Sequence, residues 1–579
     1  MNLDNSYINI SQHNIRNLVD LLQSQAQKYA DETFCIYLNN GEDESDTVTY
    51  SMLNTKAMAI AAEIQKHSSN GDRTLLLFSE GIDFITGFFA CLYAGVIAVP
   101  VQLPVSKRID SSQFLGIAKD ADISLILSTQ SDYQNYVLPS GGELIKAHPV
   151  VCIDSISDDC AKLWKSPNIV ENDIAMLQYT SGSTGNPKGV MVTHKNILYN
   201  LEIMDTIFYE KERSTIVSWL PLSHNTGLIG NVLRTLHMGW QLVLMPTAVF
   251  LQKPVRWLNA ISKYKAKISV GPNFAYELCS SRVSIEQKQS LDLSCWINAI
   301  TGAERVINAT LDNFYNAFKE CGFKKESFYP SYGLSECTLF VTGGTIKTMP
   351  DIIKIDPQSL TTGIIKIAKD TADDLVAVGK PWGQEVIIID TDNNKCCDDM
   401  VVGEIWIKGQ CVTLGYWRDP EKTTEAFAAY SDNRDGPFLR TGDLGFFRNG
   451  NLFITGRLKD LIIIRGKNIY PEDLESKVQK YHDVFKNNCT AAFSVKINTQ
   501  EEVIILQEVD EEIIKNIDVK ILLRELKANL LNTFQVNIHD IMLLPIGKIP
   551  RTNSGKVRRN NAKKEYESGM LLALRLESN

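Results

Sequence analysis

Between Tyr179 and Val190 the chain reads "YTSGSTGNPKGV", a dozen residues holding three glycines, two threonines, two serines and one lysine. Such a loop suits an anion, because glycines let backbone N–H groups approach closely while hydroxyls and a lysine add donors and charge. The same letters also describe a flexible surface linker. The flanks favour the first reading. "IAMLQY" before the loop and "GVMVTH" after it read as short buried strands, and a helical "KNILYNLEIM" follows. A Walker loop is excluded: counted from Gly182, Pro187 stands where that motif needs its second glycine and Gly189 where it needs a hydroxyl.

The elements that must position this loop are legible in outline. The 579 residues allow several cores, roughly four units at about 150 residues each. With 44% hydrophobic and 22% charged residues the composition is that of a globular protein. The net charge of -9 argues against nucleic acid as a partner. Twelve cysteines without a C-x-x-C pair fit reduced thiols and a cytoplasmic location, and "MNLDNSYINI" shows no signal peptide. From Phe84 to Val101 the chain runs 18 residues without a charge, enough to raise the question of a membrane span. Gly95 and Pro100 divide that run into a helical and a β-branched half, so a buried helix followed by a strand is expected and no transmembrane segment.

Apolar runs such as "TLLLF", "ISLILST", "QLVLMP" and "AKISVG" alternate with helical patterns over the first 340 residues, which predicts α/β layers with largely parallel sheets. From about residue 376 closely spaced β runs, "VIIID", "GEIWIKG" and "GNLFITG", predict a smaller β-rich unit. Beyond Lys459 and Asp460 an acidic helix start, with Leu474, Val478, Tyr481 and Phe485 on one face, two strands and a Leu-periodic helix predict a small α+β domain.

Four later stretches join the loop in order: "SWLPLSHNTGLIG" from Ser218, "GAERV" from Gly302, "YPSYGLSECTLFVTGG" from Tyr329, and "RTGD" with "GRLKD" between Arg440 and Asp460. "IPRTNSGKVRR" stands near the end. This set resembles the acyl-adenylating superfamily of acyl-CoA synthetases, luciferases and adenylation domains. "GPNFAYELC", "YGLSECTLFVTGG" and "RGKNIYPEDLE" are most similar to its fatty acyl-AMP ligases.

The resemblance implies an α/β fold with a large multi-layer N-terminal adenylating domain over residues 1–459, of which about 376–459 is a small β-rich part. A small, mobile α+β C-terminal lid domain over 460–579 completes it. It implies that ATP and Mg2+ are used to convert a fatty acid to acyl-AMP and pyrophosphate. The acyl group then passes to the phosphopantetheine arm of an acyl carrier protein, or, in the alternative, to CoA.

Residue by residue, Thr180, Ser181, Gly182, Ser183, Thr184, Gly185 and Lys188 would hold the phosphates, with Glu336 and Thr184 on the metal. Gly302, Ala303, Glu304, Ser331, Tyr332, Gly333, Leu334 and Ser335 would line the nucleotide, Tyr332 by stacking on the adenine. Asp443 and Arg457 would hold the ribose, a role that suits a carboxylate able to accept from both hydroxyls. His224, Asn225, Thr226 and Gly227 would shape the acyl pocket, where this chain has "HNT" in place of the branch's usual His-Asp-Met; His224 counts among the catalytic candidates with Glu336 and Lys556. Lys556 would reach the reacting carboxylate and α-phosphate from the small domain, which turns at Lys459 and Asp460. Residues 345–378 fall where the ligase branch carries a segment thought to restrain that motion; an amphipathic element packed on the large domain would serve. A non-catalytic scaffold is the contrasting reading, disfavoured by the intact Lys188, Glu336, Asp443, Arg457 and Lys556.

Overall fold

A computed structural model describes residues 15–103, 112–180, 187–208, 212–368, 373–432, 435–464, 467–485, 489–498, 500–515, 517–551, 557–571 and 574. Two large sheets dominate the first 380 residues. One has six strands in the order Val150–Cys152, Leu125–Ser128, Arg73–Phe78, Ile97–Gln102, Ile174–Thr180, Lys188–Thr193. The first five are parallel and the last is antiparallel. The other has nine strands, parallel from Phe328–Gly333 through to Thr33–Tyr37 and antiparallel at both edges. Parallel strands buried on both faces account for the near-continuous apolar runs in the sequence.

The charge-free stretch resolves as expected. Residues Ile82–Ala94 form a helix in which every side chain but Asp83 is buried, Gly95 ends it at φ 76°, and Ile97–Gln102 is a strand. The helix is buried because its neighbours come from both sheets: one apolar cluster joins it to Leu76 and Ala98 on one side and to Ile216 and Val243 on the other. No helix among the described residues is long and apolar enough to cross a membrane.

The β-rich unit is a four-stranded antiparallel sheet, Gln384–Ile389, Gly403–Gly409, Leu439–Arg448 and Asn451–Arg457. The carboxyl-terminal part carries a three-stranded sheet, Thr490–Ile497, Gln500–Val509 and Ile538–Pro545, with its own apolar cluster. Leu474, Val478 and Phe485 enter that cluster and Tyr481 flanks it, but the helix Pro471–Tyr481 stops before Phe485, which lies in a separate turn. Leu522, Leu526 and Leu530 are buried on one face of Val519–Phe534, with Leu523 packed at the margin.

The described residues between 345 and 378 form a strand pair and a short helix. Ile352–Ile355 pairs antiparallel with Asp373–Val376, and the short helix Pro357–Thr362 lies between them in sequence. Ile353, Ile355, Leu360, Ile365 and Leu375 form an apolar cluster with Phe446 and Phe453 of the four-stranded sheet and with Tyr470.

Candidate active site

A cavity of about 2530 Å³ runs between the large sheets, the four-stranded sheet and the carboxyl-terminal part. The glycine-rich loop joins two antiparallel strands in which Thr180 faces Lys188 and Tyr179 faces Gly189. Thr180 and Lys188 line the cavity, whereas Ser181, Gly182, Ser183, Thr184 and Gly185 lie outside the described residues. After the second strand, Thr193 and Asn196 form a reciprocal cap on the helix His194–Ile207, which fixes the direction in which the chain leaves the loop.

Lys188 is tied to Glu336 through a residue absent from the sequence reading. The segment around Tyr416 runs against the strand Lys188–Thr193: Trp417 N donates to Gly189 O at 2.7 Å and Met191 N to Gly415 O at 3.0 Å. This pairing sets the Tyr416 ring 4.6 Å from Lys188 Nζ, and Tyr416 Oη donates to Glu336 Oε1 at 3.0 Å. Burial and the adjacent carboxylate push the Tyr416 phenol far up, so it remains a donor. Cation, ring and carboxylate thus form a chain on the cavity wall. No cluster of three His, Cys, Asp or Glu side chains able to hold a metal occurs among the described residues. One carboxylate linked through Tyr416 to the lysine of the glycine-rich loop fits Mg2+, which takes one or two protein carboxylates together with substrate phosphate oxygens.

The cavity wall that carries "GAE" and "SYGLSE" is built on close backbone approaches. A Cβ on Gly302 would stand 2.4 Å from Ser331 O, and one on Gly333 would stand 1.7 Å from Leu339 O, so both positions require glycine. Ala303 adopts φ 67°, an uncommon conformation that presents the "GAE" turn to the cavity. Glu304 accepts from Asn273 N at 3.0 Å, a bond that fixes the same turn. Ser331, Leu334 and Ser335 also line the cavity.

Tyr332 donates through Oη to Asp443 Oδ2 at 2.8 Å, and Arg457 Nε lies 3.0 Å from Asp443 Oδ1. Asp443 and Arg457 are direct partners across adjacent strands. Each oxygen of Asp443 holds one partner and keeps a lone pair for a further donor. Glu404, 2% exposed, orients this turn by accepting from Arg440 Nε at 3.0 Å, Gly442 N at 3.1 Å and Trp406 Nε1 at 2.9 Å. Neither Glu404 nor Tyr416 stands out in the sequence, because their partners are distant along the chain.

At the acyl candidates, His224, Asn225 and Thr226 line the cavity. Asn225 Nδ2 donates to Thr338 O at 2.5 Å, while its Oδ1 is buried without a hydrogen bond. Gly227 differs from the expectation: it is not a lining residue but packs on Pro221, whose O would lie 2.2 Å from a Cβ there. Its role is to let the helical turn approach the backbone.

Lys459 and Asp460 line the cavity in a single turn, and Arg559 NH1 lies 3.5 Å from Asp460 Oδ2. Lys556 lies outside the described residues, but its flanks are anchored. Arg551 pairs with the fully buried Glu508, and Arg559 grips Glu475 through two bonds of 2.8 and 2.7 Å. Arg551 and Val557 bridge each other across the segment.

A model of the AMP-binding enzyme family matches residues 22–417, and one described as the AMP domain of Disco-interacting protein 2-like proteins matches residues 459–575. The chain is 36% identical over 566 residues to the medium-chain-fatty-acid–[acyl-carrier-protein] ligase JamA of Moorena producens, covering 96% of this chain and 95% of that protein. It is 35% identical over 545 residues to the putative fatty-acid–CoA ligase fadD21 of Mycobacterium leprae, covering 90% and 92%. Among solved structures it resembles a fatty acyl-adenylate ligase from L. pneumophila in complex with acyl adenylate and pyrophosphate, with 39% identity, a TM-score of 0.75 and coverage of 96% and 97%.

Proposed function

The chain belongs to the AMP-binding enzyme family, as an adenylate-forming ligase closely related to the fatty acid AMP ligases, and from that premise we propose that it activates a medium-length fatty acid and passes it to an acyl carrier protein. ATP-dependent formation of an acyl adenylate is the first half of this activity.

In this half-reaction the fatty acid carboxylate attacks the α-phosphorus and pyrophosphate leaves. Both reactants are anions, so positioned positive charge is the main requirement. Thr180 and Lys188 lie where the leaving phosphates are held. Lys188 is steadied by the face of Tyr416. Glu336 is the residue for Mg2+, which when bound screens phosphate charge. Asp443, held between Tyr332 and Arg457, accepts from the ribose hydroxyls. Gly302 and Gly333 let the two backbone segments of this wall pack against Ser331 O and Leu339 O, which sets the surface that the base and sugar meet. Lys556, on a segment anchored by Arg551 and Arg559, neutralises charge at the reacting carboxylate and α-phosphate.

The turn Leu458–Asp460 is the proposed hinge between a large domain over residues 1–459 and a lid over 460–579. Rotation there withdraws Lys556 and admits the thiol of the acceptor.

The observation that carries the carrier reading is the packing of Ile353, Ile355, Leu360, Ile365 and Leu375 in one cluster with both Phe446 and Tyr470. Such an element spans the proposed hinge and resists the rotation that CoA would need. The name of the JamA relative points the same way. The fadD21 name favours the second reading, an acyl-CoA synthetase with the same adenylate. Removing part of residues 350–375 tests the proposal: acyl-CoA formation should rise relative to adenylate formation. An unchanged product ratio in a folded variant would remove the segment from the account.

A further inference from the structure

Past the nucleotide end, the cavity follows one helical stretch inward. Thr226, Gly230 and Arg234 recur every fourth residue and all line it. The stretch is helical from Asn225 and passes through a π-turn at Leu228–Leu233, a form that recurs at functional sites. At Gly230 even a methyl group would press on Leu339 at 3.1 Å, so this position keeps the passage open.

Arg234 ends that track. It is 1% exposed, yet its Nε and NH2 make no hydrogen bond. Its guanidinium lies 4.2 Å from the Phe208 ring, and the carboxylate nearest to it, Asp205 Oδ1, is 3.9 Å from Nε and also lacks a hydrogen bond. The other Asp205 oxygen is taken by His237 Nδ1. Burial lowers the pKa of Arg234 to about 10, which leaves it charged at neutral pH. A buried guanidinium is ordinarily saturated by acceptors, because its donors lose water on burial. Here Arg234 lies in the cavity wall beside Met204, Phe208 and Phe340, with two donors buried behind the surface and unpaired.

We propose that Arg234 is a specificity residue, and that the preferred acyl substrate carries an oxygen acceptor, a hydroxyl or a carboxylate, at its distal end. The inference rests on the reading of this cavity as a fatty acid site. Eight residues of helix from Thr226 to Arg234 span about 12 Å at 1.5 Å each. An extended chain advances roughly 1.2 Å per bond, so about ten bonds bring its end to Arg234. The substrate class is therefore an ω-oxygenated, medium-length fatty acid.

The test compares decanoic acid, its ω-hydroxy derivative and the corresponding α,ω-diacid by pyrophosphate release with MgATP, in the parent and in Arg234→Met. The parent should show kcat/KM at least about tenfold higher for one oxygenated acid than for decanoic acid, since a site built around polar groups rejects an analogue that leaves them unpaired. Preference for the diacid identifies a carboxylate and preference for the hydroxy acid a hydroxyl. Arg234→Met should lower that ratio at least about tenfold, mainly by improving the plain acid. Should this variant fail to fold, the parent's ratio decides. A parent that favours decanoic acid over both derivatives, or an unchanged ratio in Arg234→Met, overturns the proposal while leaving adenylation intact. No pyrophosphate release with any of the three acids would count against the fatty acid reading itself.

Discussion

The two ends of the cavity are built differently. At the nucleotide end the charged groups hold one another in place: Asp443 sits between Tyr332 and Arg457, Glu404 gathers Arg440 and Gly442 N, and Lys188 reaches Glu336 through Tyr416. At the acyl end Asn225 Oδ1 and two donors of Arg234 are buried without hydrogen bonds. Under the proposed function the first end is preorganised for the nucleotide, the ligand common to every turnover. The second holds buried polar groups without partners, which the proposed oxygenated substrate would complete. Preorganised dipoles need no rearrangement during reaction, which is why such sites contribute most to rate, whereas unfilled polar groups contribute to choice between substrates.

If the comparison holds, changes at the nucleotide end reduce the rate with every acid, and changes at the acyl end alter the ranking of acids. The largest effect is expected at Lys556. Lys556→Ala should slow adenylation at least about a hundredfold, or roughly 2.7 kcal/mol, for all fatty acids alike. Pyrophosphate release at saturating substrate measures it, and near-parental rates would remove Lys556 from the mechanism.

Asp443→Ala comes next. Losing charge-assisted bonds worth about 1.5 to 3 kcal/mol should lower kcat/KM for ATP by roughly ten- to a hundredfold without changing which acid is preferred. Unchanged ATP kinetics in a folded variant would return Asp443 to a purely structural place, while an altered acid ranking would break the division between the two ends.

Tyr416→Phe sharpens the comparison most finely. It keeps the ring beside Lys188 but removes the donor to Glu336, a neutral-to-charged bond of about 1.5 kcal/mol or more. The Mg2+ concentration for half-maximal rate should rise by about tenfold. No shift would show that Glu336 is positioned without the phenol.

The residues that gather at the loop end of the cavity could largely be named from the sequence, because they sit in short motifs. Tyr416 and Glu404 were not legible: Tyr416 meets Glu336 only because a loop pairs with the strand after the phosphate loop, and Glu404 meets Arg440 only across two strands. Arg234 left one usable signal, a lone charge within the apolar "GLIGNVLRTLHM", but its burial depends on Phe208 and Asp205 from a different helix. The helix and strand within Phe84 to Val101 could be read from Gly95 and Pro100. The strand pair within residues 345–378 could not, since its partners Ile352–Ile355 and Asp373–Val376 are separated by residues 356–372, a connection with its own short helix in place of a two-residue turn. Gly227 shows a related limit: a small residue in a motif gives no sign of whether its space is left for a ligand or, as here, taken by the Pro221 backbone.

The proposal as a whole is tested most directly by offering the purified chain a fatty acid, MgATP, CoA and a phosphopantetheinylated carrier protein together, and resolving the products by mass. The account predicts acyl carrier as the main thioester, with little acyl-CoA beside it. Efficient acyl-CoA formation by the intact chain, with the carrier left unloaded, would contradict it.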